Sequence, residues 1–471
     1  MKVNFSTTRI AFFTGLLLSA MAQQTQAAGF AIIENSASGM GNAFAGAAAV
    51  GEDASTTWFN PAALTRLKKR QAVTALHIID PKADYTDKGS SLNPAFTGGT
   101  TVRGSLTGIN DDGGEVGFVP NAYIAYPIKP GMVFGLGINA PFGLVVDYED
   151  DWVGRYHALK SDLATININP SFAMKFGDKF SVGFGVSAQY ADVTLSNAID
   201  SGAACLGVAA AAGSPALQAQ CVALGLTPNK QSIDSKGTVS GDSWGYGFNL
   251  GFLYEFNEGT RLGLSYRSEV EQEVEGDADF NVNPALQGFL NALAPNPASA
   301  LFSNTGANAA IDLPASASIS FVHDIDNKVE LLFDATWTQW SNFEELRVKF
   351  DNPVQSDSVT TENWDDVWRF SAGLNIRMSD KWKLRTGLAW DEEPIPDAQH
   401  RTPRIPGNDR TWVTLGAGIN LSPHFHLDLG YAHLFLNDTP IDHTSEGTGY
   451  TLRGEYKAAV DIYSAQLNWY F

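Results

Sequence analysis

The stretch FSVGFGVSAQY, residues 180–190, puts Phe180, Val182, Phe184, Val186, Ala188 and Tyr190 on one parity and Ser181, Gly183, Gly185, Ser187 and Gln189 on the other. Successive side chains of a strand point to opposite faces, so this segment is an apolar wall on one side and a small, polar one on the other. The rhythm recurs in residues 132–142, 368–378 and 382–390, and on odd positions in 425–435. A soluble sandwich also alternates, but its strands average about five or six residues and these run longer. The apolar parity is rich in aromatics, with Trp and Tyr near strand ends, while the polar parity carries Arg369, Asn375, Arg377, Lys383 and Arg385 among many glycines. That distribution predicts an all-β fold, a transmembrane antiparallel β-barrel with lipid outside and a polar lumen.

Turn chemistry sets the strand number. Short turns fall at 129–131, 177–179, 257–259, 326–328, 379–380 and 422–423, with long irregular loops between them. Short turns on one side and long loops on the other are the asymmetry of an outer-membrane barrel, and the count gives about 14 strands. In the last strand, Tyr463, Leu467, Trp469 and Phe471 share the apolar parity. A terminal aromatic there resembles the signal read by the outer-membrane assembly machinery.

Both flanks of this pattern agree with export. Lys2 and Arg9 precede an apolar run over 10–22, and Thr25-Gln26-Ala27 offers small residues at a cleavage site, so residues 1–27 are expected to be a signal peptide. The run is shorter than the roughly 20 residues of a membrane anchor. Residues 28–69, mostly Ala, Gly, Ser and Asn, belong neither to the leader nor to the strands of 70–471. They are expected to plug the barrel as an N-terminal luminal hatch.

The net charge of −20 over 471 residues argues against a nucleic-acid partner. No dinucleotide fingerprint, P-loop, zincin motif or nucleophile elbow is present. No cofactor, metal or catalytic residue is expected, and the protein is not expected to be an enzyme. Two loops, 197–237 and 280–310, carry unusual apolar content, including Leu217, Leu226, Phe289 and Leu293. They cap the barrel by packing on each other, form a ligand groove, or do both. Cys205 and Cys221, the only cysteines, both lie in the first loop and predict one disulfide. Arg369, Arg377 and Arg385 are expected in the lumen, paired with carboxylates such as Asp391. One luminal base would remain for a ligand carboxylate at the phase change near 340–345, ahead of Arg347 and Lys349.

Ala28-Gly29-Phe30, Ser38-Gly39-x-Gly41, Asn60-Pro61-Ala62, Tyr266-Arg267-Ser268-Glu269-Val270 and Trp340-Ser341-x-Phe343 follow one another in order. Arg385-Thr386-Gly387-x-Ala389-x-Asp391, Pro394-x-Pro396 and Asp409-Arg410-x-Trp412 complete the set. Together they resemble the FadL family of outer-membrane long-chain fatty acid transporters along the whole chain. Asn-Pro-Ala alone is weak, since it recurs at Asn93, Asn283 and Asn296.

The resemblance implies a 14-stranded barrel with a hatch and a capture groove between the two apolar loops. It also implies a luminal pocket near Phe30 and a lateral exit at a kink in the third strand. The matching kink is 140–144, where Pro141 and Gly143 weaken a ladder, and Asn60, Pro61 and Ala62 are expected beside it. Arg347 matches a basic family position near the substrate carboxylate, whereas a second such position, near 192–197, has no Arg or Lys here. A related branch of the family moves aromatic hydrocarbons. The expected activity is passive uptake of a hydrophobic compound, foremost a long-chain fatty acid, by a monomer in the outer membrane of a Gram-negative bacterium, among outer-membrane lipid and lipopolysaccharide. A lipid-hydrolysing barrel and a polar porin are the alternatives.

Overall fold

The computed structural model describes residues 29–96, 104–296 and 299–471. The expected leader, residues 1–27, lies outside them. The first strands are β1 (Gln71–Asp87), β2 (Gly117–Lys129), β3 (Met132–Asn139, resuming at Gly143–Asp147), β4 (Lys160–Phe176) and β5 (Phe180–Ile199). Next come β6 (Ser235–Asn257), β7 (Thr260–Arg267 and Val270–Asn281), β8 (Thr305–Leu313 and Ser316–Asp324) and β9 (Val329–Thr338 and Glu345–Phe350). The rest are β10 (Ser358–Thr361 and Val367–Arg377), β11 (Trp382–Asp391), β12 (Arg410–Ser422), β13 (Phe425–Leu436 and Thr439–Thr444) and β14 (Thr451–Tyr470).

Each strand pairs antiparallel with its neighbours in sequence, and β14 returns to β1 from Gln71↔Tyr470 to Asp87↔Gly454, closing a barrel of 14 strands. Closure leaves no edge, which the bilayer requires because lipid cannot satisfy backbone groups. The six expected short turns are the connections on one side. Parity sorts as expected. Phe184, Trp368, Phe370, Trp390, Trp469 and Phe471 are exposed on the outer wall, while Ser181, Gln189, Arg369 and Arg385 are buried inside it.

The lumen is filled rather than open. Gly29 to Leu67 runs inside it as short helices, Ala37–Met40, Ala47–Val50 and Thr56–Phe59, and a 3₁₀ turn, Pro61–Arg66. Its hydrogen bonds reach strands around the whole ring. Ala37 N donates to Gln466 on β14 (2.9 Å), Asn42 to Asn375 on β10 (3.1 Å), Ala48 N to Ser320 on β8 (2.9 Å) and Asn60 to the Phe252 carbonyl on β6 (3.1 Å). Glu52 takes Lys383 and Arg385 of β11. The glycines of the inner parity have a task here. A Cβ at Gly251 would overlap Asn60 Oδ1, and one at Gly263 would overlap the Ala48 carbonyl. The wall is small where the segment's backbone lies against it.

On the loop side, helices Ser201–Ala211 and Pro215–Ala223 are joined by a Cys205–Cys221 disulfide with the Cα atoms 5.9 Å apart. Helix Pro284–Leu293 packs on them through Leu286, Phe289 and Leu290. Among the described residues no helix is long and apolar enough to cross a membrane.

Candidate functional site

The barrel wall is interrupted in β3. Pairing with β2 stops at Ala122↔Ile138, whereas pairing with β4 resumes at Gly143↔Ala164. Pro141 has no N–H to offer a ladder. Thr165 occupies the freed groups of Phe142, accepting from its N (3.0 Å) and donating to its O (2.6 Å). The place that β2 vacates is taken from inside. Ile32 N donates to the Pro141 carbonyl (2.7 Å), Gly143 N donates to the Phe30 carbonyl (2.9 Å), and Ala31 bridges Phe142 antiparallel. Three residues of the N-terminal segment therefore stand in for a wall strand.

Behind this break lies a packed apolar cluster. Phe30 is 3% exposed, with ring centroids 4.7 Å from Trp340, 5.6 Å from Phe343, 5.8 Å from Trp364 and 6.2 Å from Phe142. Leu163, Val193, Val270 and Ile311 extend the same cluster. Gly29 has φ +61°, and a Cβ there would come 2.6 Å from Trp364, so the tight approach needs glycine. A 3₁₀ turn, Trp340–Asn342, interrupts β9 and delivers Trp340 inward. At the roof, Glu362 accepts from Trp364 Nε1 (3.0 Å), and burial pushes its carboxyl up to about 8.

Beneath the cluster is a cavity of about 150 Å³, bounded by Ile32, Phe59, Pro61, Pro141, Phe142 and Trp340. Its polar wall comprises Arg267, Asp334, Arg369 and Asp391. Arg267 donates to the Trp58 carbonyl (2.8 Å) and to Ser187 (3.2 Å) while stacking on Trp58. Asp391 is held by Arg410 (2.5 Å) rather than by Arg369. Arg385 is bound by Glu52 and Asp428 (2.7 Å), and Arg377 donates to the Asn327 carbonyl (3.3 Å).

Two expectations are corrected by these positions. Arg347 does not face the lumen. It is paired with Glu345 (2.6 Å) and Asp357 (3.1 Å) on the outer face, while its neighbours Leu346 and Val348 pack inward. The apolar parity switches near 340–345 because the wall leaves the membrane there. Outside becomes wet and inside apolar, so odd residues keep facing out. Asn60-Pro61-Ala62 also does not sit against the β3 break. Asn60 and Ala62 lie on the glycine windows of β5 and β6, and only Pro61 borders the cavity that Pro141 lines from another side.

The other expected contacts divide. Pro141 and Gly143 are at the break and Phe30 is in the apolar cluster. Leu226 and Phe289 are buried in the interloop core, Leu217 is half-buried and Leu293 is exposed. Trp340, Phe343, Trp364 and Arg267 carry the site without having been singled out as contacts. Trp340, Phe343 and Arg267 belong to the ordered set of motifs, whereas Trp364 lies in none of them. On the hydrolase alternative, His77 Nδ1 and Ser464 share a hydrogen bond (2.6 Å) inside the wall, but both are buried and no hydrogen bond reaches His77 Nε2.

The protein family described as outer membrane protein transport protein (OMPP1/FadL/TodX) matches residues 18–471. The chain is 31% identical over 464 residues to a 47 kDa outer membrane protein of Pasteurella multocida, covering 96% of each. It is 29% identical over 436 residues to a long-chain fatty acid transport protein of Escherichia coli O6:H1, covering 92% of this chain and 93% of that one. A Pseudomonas aeruginosa FadL homologue of known structure superposes with a TM-score of 0.81 at 25% identity, over 94% of this chain and 100% of that one. The Pseudomonas putida toluene transporter TodX shares the fold, with a TM-score of 0.64 at 14% identity over 95% of this chain and 100% of that one.

Proposed function

Because this chain belongs to the outer membrane protein transport family (OMPP1/FadL/TodX) and is an outer-membrane transporter of hydrophobic substrates, we propose that it takes up long-chain fatty acids and releases them sideways through the break in β3. The observation that carries this reading is the closure of that break. Residues 30–32 seal it with two backbone hydrogen bonds and one aromatic ring, directly in front of a packed apolar cluster. The names of relatives that align along nearly their full length support a fatty acid as cargo.

In this reading the apolar loops gather the molecule, with Leu217 and the exposed Leu293 as contacts. The chain then enters the cluster by displacing Phe30, since each methylene removed from water contributes about 0.8 kcal/mol. Withdrawal of residues 30–32 opens the wall and returns the tail to lipid without passage through water. Residues 28–69 act as the hatch that denies polar solutes a path, residues 1–27 as the export signal, and residues 70–471 as the barrel. The protein works as a monomer and performs no covalent chemistry.

The test is uptake of labelled oleate by cells lacking their own transporter. Wild-type protein should restore uptake, and Gly143→Glu, which places a carboxylate beside the Phe30 carbonyl, should abolish it with assembly intact. Uptake no better than empty vector overturns the fatty acid assignment. Toluene uptake without oleate uptake would assign the hydrocarbon activity instead.

A further inference from the structure

Three in-register residues cross neighbouring strands on the inner wall: Arg369 of β10 faces Asp391 of β11, which faces Arg410 of β12. One carboxylate thus stands between two guanidiniums, and Arg410 takes it at 2.5 Å. Arg369 is left with a single hydrogen bond, from Nη2 to the Ala43 carbonyl (3.0 Å). Its Nε and Nη1 have no partner although the residue is only 6% exposed. Such groups are costly to leave unfilled in a buried site.

The surrounding acceptors do not fill them. Asp334 is occupied by Ser320 and Thr336 (2.8 Å), and Glu34 Oε2 has no partner of its own. Trp412 supports the guanidinium from 5.1 Å. Arg369 lines the cavity that Trp340 and Phe142 bound on its apolar side.

We infer that Arg369 is the head-group subsite of this cavity: it binds the carboxylate of an anionic amphiphile whose tail lies along Phe142 and Trp340. A buried guanidinium with free N–H groups on Nε and Nη1 is matched to carboxylate oxygen and to nothing in a neutral hydrocarbon. The site therefore separates acids from hydrocarbons of the same size. This inference rests on the proposal that the luminal cavity carries the cargo. It places the anchoring base in the lumen, a role that the sequence pointed to at Arg347.

The experiment measures quenching of the intrinsic tryptophan fluorescence of purified full-length protein by brominated stearate and by its uncharged methyl ester. Wild-type protein should bind the acid about 10- to 100-fold more tightly than the ester, the range of a charge-assisted contact. Arg369→Met should lose that preference while keeping its affinity for the ester, and Arg369→Lys should restore part of it. Arg347→Ala should keep the wild-type preference. Unchanged ester binding doubles as the check that Arg369→Met still seats the N-terminal segment. An acid preference that survives in Arg369→Met overturns the subsite, and so does a wild type that binds acid and ester equally. A wild type that binds neither overturns the transport reading on which it rests.

Discussion

Phe30 occupies the space that a substrate tail needs, so shortening it should tighten binding rather than weaken it. Its ring is enclosed by Trp340, Phe343, Trp364 and Phe142. Burying a phenylalanine side chain contributes about 1.5–3 kcal/mol, and Phe30→Ala removes nearly all of it from the closed state. The two backbone bonds to Pro141 and Gly143 remain, so the segment still docks, but without its ring. A ligand that must first expel the ring binds more weakly by the population of the expelled state. At about 2 kcal/mol the ring depresses apparent affinity roughly 30-fold. Titration of Phe30→Ala with brominated stearate, read by quenching of tryptophan fluorescence, should therefore show affinity about 30-fold above wild type. Phe30→Leu should fall between them. The barrel itself should melt unchanged, because no strand pairing involves Phe30 beyond the β3 break. Weaker or equal binding by Phe30→Ala would refute the reasoning and make Phe30 part of the site's wall rather than its occupant.

Gly251→Val should unseat the hatch, because its Cβ overlaps Asn60 Oδ1; planar bilayers should then show raised ion conductance where wild type shows little. Replacing Cys205 and Cys221 by Ser removes a cross-link between residues 16 apart, worth about 3 kcal/mol to the loop, and should make the loop sensitive to protease while barrel melting stays constant. Glu362 has its folded-state carboxyl raised from 4.5 to about 8, so the folded roof holds more protons than the unfolded chain between those values. Its stability should fall as pH rises through that window, and Glu362→Gln should flatten the pH dependence of proteolysis at 351–357.

The lipid-facing parity made the barrel legible. Every second residue on fourteen strands must satisfy hydrocarbon, so Phe180, Trp368, Trp390 and Trp469 repeat one constraint at intervals that a turn count can follow. Arg347 was misplaced by the same rule. Its strand has left the membrane, and there water reaches the outer face while the apolar cluster takes the inner one, so the apolar parity inverts without any side chain turning over. The glycines of the inner parity could be seen in the sequence, but not their purpose. Only the luminal backbone against Gly251 and Gly263 explains them. Trp340 and Trp364 come from interruptions in β9 and β10, where period two carries no information.

The N-terminal segment itself divides into a part that stays and a part that can move. From Glu34 to Leu67 it is fixed by buried polar groups: Asn42 on Asn375, Ala48 on Ser320, Asn60 on Phe252, Glu52 on Arg385, and the Glu34 carbonyl under Asn121. Each of these, if broken without water to replace it, costs about 1–3 kcal/mol, more where charge is involved. Together they exceed what a single bound tail can repay by preferring one state over another. Residues 29–33 are held differently, by two backbone bonds to β3 and by an apolar ring whose place a fatty acyl chain can fill with equal satisfaction. Exchange of one apolar occupant for another is close to neutral, and the backbone bonds are worth about 1 kcal/mol apiece. Substrate can therefore shift the last five residues ahead of Glu34 and leave the rest of the hatch seated. Opening of the wall at Pro141–Gly143 then requires no passage through the barrel floor.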